Sequence, residues 1–181
     1  RVVFVPKVLP GETARVQLVA RRKGHWIGRL IERTSASALR RQEPCILADH
    51  CGGCTLQHLE YGAQCSSKHG QLSAALQRIG QVALQPDPVM TSALELGYRN
   101  KAIIPLERCG DGRLRAGYYR RGSHQIVNMN HCLVLDPRLD RLIEPLKSDL
   151  EATGWPIDKD LCAAGGLRHL ALRLGHHTGE L

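Results

Sequence analysis

Three cysteines close together in the sequence are the residues best suited to chemistry. Cys45, Cys51 and Cys54 follow a C-x5-C-x2-C spacing, and Gly52 and Gly53 lie between the last two. Two thiolates three residues apart on a tight turn can bind one metal centre, and the glycines let backbone N–H groups approach the sulfur ligands. This clustering predicts a metal site rather than a set of buried thiols.

A complete site needs a fourth ligand, and Cys132 is the natural candidate because a strand could return there to close the site. Four thiolates suit either zinc or an iron–sulfur cluster, and the spacing leaves both open. His50 and His58 are predicted to be surface residues, or residues beside the metal site that do not bind the metal. The other cysteines lack the local signature of a catalytic nucleophile and are predicted to be ordinary thiols: Cys65, Cys109 and Cys162.

The charge of the chain is basic and unevenly distributed. Its 181 residues include 25 Lys and Arg against 17 Asp and Glu, for a net charge of +8, and the 43% hydrophobic content excludes a disordered chain. Residues 1–43 have a net charge of +7 and residues 97–135 of +5, whereas residues 44–96 and 136–181 are each at −2. A purely solubilising charge would be spread evenly, so the pattern predicts a surface that faces a polyanion.

Several classes of protein are disfavoured by the sequence. The longest apolar runs, at 2–5 and 103–106, are too short to span a bilayer, and no signal segment opens the chain. Clustered cysteines without a secretory signal predict a cytoplasmic protein. No feature indicates an obligate protein partner. Because residue 1 is Arg and no cap or turn signal precedes Leu181, we expect a piece of a longer protein.

Hydrophobic periodicity predicts an α+β fold. Short alternating segments at 2–5, 14–19 and 26–31 predict the strands of a partial OB-like barrel over residues 1–43. Residues 44–181 are predicted to form a second, α+β domain, which contains the cysteine motif.

Within residues 44–181, a helical pattern is expected to stop near Gly80. Strands at 98–106 and 113–120 form a predicted hairpin. Asp136 is placed to cap a helix that Pro145 should kink or divide. A last strand at 167–174 is expected to lack a partner.

The order of several motifs carries a family resemblance. After the cysteine motif come Leu-Gln-His at 56–58, Gly-Tyr-Arg-Asn-Lys at 97–101, Gly-Tyr-Tyr-Arg at 117–120 and Asn-His-Cys at 130–132. This series resembles the RNA 5-methyluridine methyltransferases, and most closely the 23S rRNA (uracil-5-)-methyltransferases. Residues 4–12 look like the latter part of that family's TRAM barrel, and residues 165–170 and 178–180 look like its central domain.

The resemblance implies a [4Fe-4S] cluster held by Cys45, Cys51, Cys54 and Cys132, and RNA binding by the barrel and the central domain. Relatives that methylate tRNA typically lack the cluster and the barrel, which favours 23S rRNA as the partner. In the family, a Cys adds to C6 of uracil and C5 then takes the methyl group of S-adenosylmethionine. That Cys, its base and the cofactor domain lie beyond this region. The full-length protein is therefore expected to be an enzyme, while this chain contains no catalytic residue and should be inactive alone.

The second basic region supplies the candidates for RNA contact. Tyr118 or Tyr119 could stack on an unpaired base, although strand alternation directs one of the two into the core. The alternative function is a non-enzymatic RNA-binding module with a structural zinc ion held by four cysteines. The residues predicted to contact phosphate are Arg99, Lys101, Arg115, Arg120 and Arg121.

Overall fold

The computed structural model describes residues 1–162 and 165–181, which form a mixed α+β fold, as predicted. They divide into two compact units, residues 1–44 with 55–91, and residues 45–54 with 92–181. The predicted boundary after residue 43 would place residues 55–91 in the second unit. They fold with the first because Arg40 and Leu59 form an isolated β-bridge, and the Arg41 N–H donates to the His58 carbonyl at 3.0 Å.

A three-stranded sheet forms the first unit's N-terminal part. It contains β1 (Val2–Phe4), β2 (Thr13–Arg22) and β3 (His25–Ser35), in the order β1-β3-β2. β3 is antiparallel to β2 and parallel to β1. Gly24, at the hairpin turn between β2 and β3, has a φ of +82°, which glycine adopts without strain. All three predicted strands are confirmed, and closure into a barrel stays a prediction.

A buried carboxylate joins the loops around this sheet. The Glu12 side chain is fully buried and accepts hydrogen bonds from Leu9 N at 2.9 Å and Ser37 N at 3.2 Å. The Arg40 guanidinium donates to both of its oxygens, with Nη2 at 2.7 Å, and Arg33 Nε lies 3.3 Å away. The Arg40 hydrogen bond is the main cause that lowers the pKa of Glu12 to about 2, although burial acts in the opposite direction.

The first unit also contains the longer helix, α1 (Tyr61–Arg78). Its last residue is Arg78 and its C-cap is Ile79, next to the predicted stop at Gly80, and none of its residues is buried. Within the ranges that the structure describes, neither helix is both long and apolar enough to cross a bilayer.

The core of the second unit lies between a sheet and a helix. β4 (Lys101–Arg108) pairs in antiparallel fashion with β5 (Leu114–Ala116) and β6 (His169–Arg173), in the order β5-β4-β6. The expectation that the last strand lacks a partner is therefore wrong, because β4 supplies it. Buried side chains of β4 pack in one core with those of the helix α2 (Pro137–Ala152), including Ile104, Leu106, Leu139 and Ile143.

The start of α2 follows the prediction. The Asp136 side chain accepts a hydrogen bond from Arg138 N at 3.0 Å, and Pro137 is the first residue of the helix. The helix runs past Pro145 as a single element. Pro145 therefore does not divide it.

Strand β5 is shorter than predicted, ending at Ala116 instead of residue 120. A Cβ at Gly117 would overlap the carbonyl oxygen of Val127. The close approach is maintained on both sides, because Val127 N donates to Tyr118 O and Met129 N donates to Ala116 O, each at 2.9 Å. Only glycine allows the chain to pass this segment so closely.

We expect Gly117→Ala to destabilise the second unit by about 2–3 kcal/mol, because the added methyl group must displace backbone. The measurement is urea unfolding followed by the fluorescence of Trp155, in a Trp26→Phe background. Gly110→Ala is the control, since no atom lies within 4 Å of a Cβ built there and no positive φ is required. Equal stability of the two variants would contradict the prediction.

Candidate metal centre and nucleic-acid interface

The three clustered cysteines lie on a loop of tight turns, residues 45–54, here called the cysteine loop. Ala48 N donates to Cys45 O at 3.1 Å, and Cys51 N donates to Leu47 O at 2.8 Å. The loop then pairs with residues 119–120, since Gly52 N donates to Tyr119 O at 2.8 Å and Cys51 forms a β-bridge with Arg120. A Cβ at Gly52 would lie only 2.8 Å from Tyr119 O, so this pairing requires glycine.

The fourth predicted ligand is in the same unit and is positioned by α2. The backbone N–H of Cys132 donates to Asp140 Oδ1 at 2.6 Å, and the other oxygen of that carboxylate lies 3.1 Å from His131 Nδ1. Leu135 N donates to the Cys132 carbonyl oxygen at 2.9 Å, and the backbone N–H groups of Val134 and Leu135 act to lower the pKa of the thiol. The first turn of α2 therefore determines where this thiol lies.

Electrostatic interactions connect the four thiols. Burial is the main cause that raises the pKa of Cys51, and the negative charges of Cys54 and Cys45 raise it further. The pKa of Cys132 is raised by burial and then by Cys54 and Cys51. In both cases backbone N–H donors act in the opposite direction, including Gly53 N at 3.4 Å from Cys51 Sγ. Burial and mutual repulsion therefore favour the protonated thiols, and a bound cation would favour the thiolates.

Thiols with backbone N–H donors to sulfur are the donor type that a thiolate-bound centre uses. As placed, no three His, Cys, Asp or Glu side chains in residues 1–162 and 165–181 form a group that could hold a metal ion. Of the two histidines set aside as ligands, His50 is exposed on the cysteine loop and His58 is buried in the first unit. The cysteines outside the predicted site are free thiols in three other places: Cys65 in α1, Cys109 before the β4–β5 turn and Cys162 on the surface.

The two adjacent tyrosines have different environments. Tyr118 packs against the core, and its ring lies beside Gly53 of the cysteine loop. Its hydroxyl is buried, and within the described residues it has no hydrogen bond of normal geometry. Burial raises the pKa of this hydroxyl, and the charge of Cys132 raises it further. The ring of Tyr119 instead stacks on His124, with centroids 5.4 Å apart. Tyr119 is therefore the better candidate for a base contact.

The predicted RNA contacts fall in separate parts of the second unit. Arg99 interacts with Tyr118 near the thiols, and Arg121 Nη2 lies 3.4 Å from the Cys54 carbonyl oxygen. Exposed Lys101 is paired with Arg173 across β4 and β6. Arg115 and Arg120 line one pocket of about 580 Å³.

The sequence prediction missed other residues of this pocket. His50 was set aside as a metal ligand and was not considered for RNA contact, and neither His124 nor Lys159 was considered. Lys159 carries no local signal, because its place beside Glu107 depends on the pairing of distant segments. The basic side chains around the pocket are His50, Arg115, Arg120, His124 and Lys159.

Comparison with known proteins links the whole chain to RNA methyltransferases. An uncharacterized RNA methyltransferase of Parasynechococcus marenigrum is 56% identical over 180 residues, which cover 99% of this chain and 39% of that protein. One from Synechocystis is 46% identical over 182 residues, covering 100% of this chain and 39% of the relative. One from Bacillus cereus is 39% identical over 99% of this chain and 39% of its own length. No family model matches the chain.

A solved structure is also similar to this chain. The Pyrococcus abyssi tRNA (uracil-54, C5)-methyltransferase, in complex with S-adenosyl-L-homocysteine, has a TM-score of 0.64 and 29% sequence identity, covering 98% of this chain and 39% of that one. The chain thus spans about two-fifths of the length of the relatives it matches. The resemblance to RNA methyltransferases that the motifs carry is confirmed, because 98–100% of this chain is similar to part of proteins with that name.

Proposed function

We propose that this chain is the RNA-binding, [4Fe-4S]-bearing part of an S-adenosylmethionine-dependent RNA (uracil-5-)-methyltransferase. The main support is the match of 99–100% of the chain to proteins named RNA methyltransferases. The Pyrococcus neighbour supports uracil C5 as the position and S-adenosylmethionine as the methyl donor, since its structure contains the demethylated product of that donor. The resemblance of residues 4–12 supports a TRAM barrel in the N-terminal unit.

The cluster is proposed to have a structural role. Cys45, Cys51, Cys54 and Cys132 would hold it, and when bound it supplies a cross-link between the cysteine loop and the segment before α2. Such a link restricts the unfolded chain and so favours the fold. Polar transfer of a methyl group to C5 of uracil needs no electron carrier, so the proposed reaction does not require electrons from the cluster.

The chain's own part in the reaction is to bind and orient RNA. Arginine and lysine side chains of the second unit neutralise phosphates, and Tyr119 offers an aromatic ring to an unpaired base. S-adenosylmethionine binding and the attack on uracil are assigned to the part of the protein outside these residues. A cytoplasmic location and the lack of an obligate protein partner stay predictions.

The proposed substrate is 23S rRNA, which the motif resemblance favours. Transfer RNA is the alternative, and the structural neighbour is the specific reason to consider it. That tRNA-modifying enzyme aligns with 98% of this chain, so the N-terminal strands do not by themselves separate the two substrates. Binding of ribosomal RNA fragments and tRNA transcripts by this chain would decide between them.

The proposal is tested by metal and activity assays on the purified chain. We expect brown protein with iron and acid-labile sulfide, RNA binding, and neither S-adenosylmethionine binding nor methyl incorporation into RNA. Colourless protein with one zinc ion would favour the non-enzymatic zinc module. Methyl transfer by the chain alone would contradict the assignment of chemistry to another segment.

A further inference from the structure

The basic pocket of the second unit is built from segments that are distant in sequence. It has a volume of about 580 Å³, within the range of small-molecule sites. The pocket is lined by His50 of the cysteine loop, Glu107 of β4, Arg115 of β5 and Lys159. The segment 124–127 contributes the remaining wall, in which Ile126 is buried.

The charged side chains of the pocket give it an excess of positive charge. On the pocket wall, Arg115, Arg120 and Lys159 are opposed by the carboxylate of Glu107, and Asp160 Oδ2 lies 3.1 Å from Lys159 Nζ. Lys159 Nζ lies 2.8 Å from Glu107 Oε1, and Arg115 Nη1 lies 3.7 Å from Oε2. Hydrogen bonds to Glu107 and then Asp160 raise the pKa of Lys159, so it stays charged at neutral pH. Glu107 therefore orients two cations, and with Asp160 counted the three cations face two carboxylates, which leaves an excess of one positive charge.

Arg120 is the cation of this pocket whose side chain is available to bind an anion. Its backbone is held by Gln125, whose carbonyl accepts from Arg120 N at 2.8 Å, and by Ser123, whose N donates to Arg120 O at 3.1 Å. In the part of the chain that the structure describes, its side chain has no ion pair and no hydrogen bond. A rigid backbone and an unpaired guanidinium at a pocket are suited to binding an anion.

An aromatic ring lies beside these cations. His124 lines the pocket and stacks on Tyr119 with an angle of 28° between the rings. Aromatic rings next to cationic side chains are how proteins bind unpaired nucleotides, with the base on the ring and the phosphate at the cations. Duplex RNA would not reach such a pocket with its base edges.

We propose that this pocket binds one unpaired nucleotide of the RNA, with the phosphate at Arg115, Arg120 and Lys159 and the base against His124. The proposal rests on the proposed function, because it takes the ligand to be RNA. It goes further in assigning a specific nucleotide site and adding His124 and Lys159 to the contacts.

The test measures binding of a labelled single-stranded RNA to the 181-residue chain by fluorescence anisotropy over a range of salt concentrations. Arg120→Gln should raise Kd about tenfold and reduce the slope of log K against log salt by about one. His124→Ala should raise Kd about fivefold and leave the slope unchanged, because stacking releases no counterions. Uridine 5′-monophosphate should compete with the RNA in the unsubstituted chain.

Arg113→Gln is the matched control. Arg113 is an exposed arginine of the β4–β5 hairpin turn that pairs with Asp111 and does not line the pocket, so its Kd should stay within about twofold. Metal content and thermal unfolding of each variant exclude an indirect effect of misfolding. The nucleotide site would be overturned if Arg120→Gln left both Kd and slope unchanged, or if Arg113→Gln lost as much RNA affinity as Arg120→Gln. In either case, RNA binding by the unsubstituted chain would leave the proposed function standing. An unsubstituted chain that binds no RNA would overturn both.

Discussion

Replacing Cys132 by Ser is expected to remove the metal centre. Iron content should fall below about one tenth of that of the unsubstituted chain, because a cluster held by three thiolates is exposed to exchange and loss. The stability of the second unit should fall with it by several kcal/mol, since the proposed cluster would link Cys132 to the cysteine loop. Iron and sulfide analysis and unfolding followed by Trp155 fluorescence are the measurements.

Cys162→Ser and Cys109→Ser are the matched controls for this experiment. Both remove a free thiol from the same unit without touching the predicted ligand set. Their iron content should equal that of the unsubstituted chain. Full iron loading in Cys132→Ser would remove Cys132 from the ligand set, and loss of iron in either control would show that the loss reflects damage to the fold.

A second large effect is expected from Glu12→Gln. This substitution should destabilise the first unit by about 3 kcal/mol at neutral pH, because the Arg40 guanidinium then lies beside a buried amide and has no counter-charge. Breaking a buried pair on one side is strongly destabilising, since the remaining charge stays buried without a partner. Unfolding of the first unit can be followed by Trp26 fluorescence in a Trp155→Phe background, because Trp26 lies in β3.

The effect of Glu12 should depend on pH in one direction. Its pKa is lowered from 4.5 to about 2 in the folded chain, so its contribution to stability is fully present above pH 4.5. The contribution is lost as the pH falls from 4.5 towards 2, and the difference between Glu12→Gln and the unsubstituted chain should shrink over that interval. A difference that stays constant down to pH 2 would contradict the lowered pKa.

Glu32→Gln provides the control, because it removes a carboxylate from β3, in the sheet next to which Glu12 lies. Glu32 lies 2.6 Å from Arg15 with both side chains more than half exposed. Exposed ion pairs contribute little, so the change should stay within about 0.5 kcal/mol. A loss in Glu32→Gln as large as that in Glu12→Gln would mean that burial is not the cause of the difference.

Local sequence patterns were sufficient to predict most of the helices and strands. Asp136 followed by Pro137 predicted the start of α2, and the hairpin signal over residues 98–120 predicted β4, because capping and turn signals depend on neighbours in sequence. The length of β5 was not predictable in this way. It ends at Ala116 because Gly117 lies against Val127, a contact that forms only when the chain returns.

The sequence by itself determined the family resemblance, the α+β class and the four thiols to test as ligands. Those properties depend on residue identity and spacing, which the chain carries at every stage of folding. Tertiary structure decided that β4 is the partner of β6 and that Tyr118 packs beside the cysteine loop while Tyr119 stacks on His124. It also brought Lys159 to Glu107 and Arg120 to Cys51. These contacts join residues far apart in sequence, and only the packing of the folded core brings such residues together.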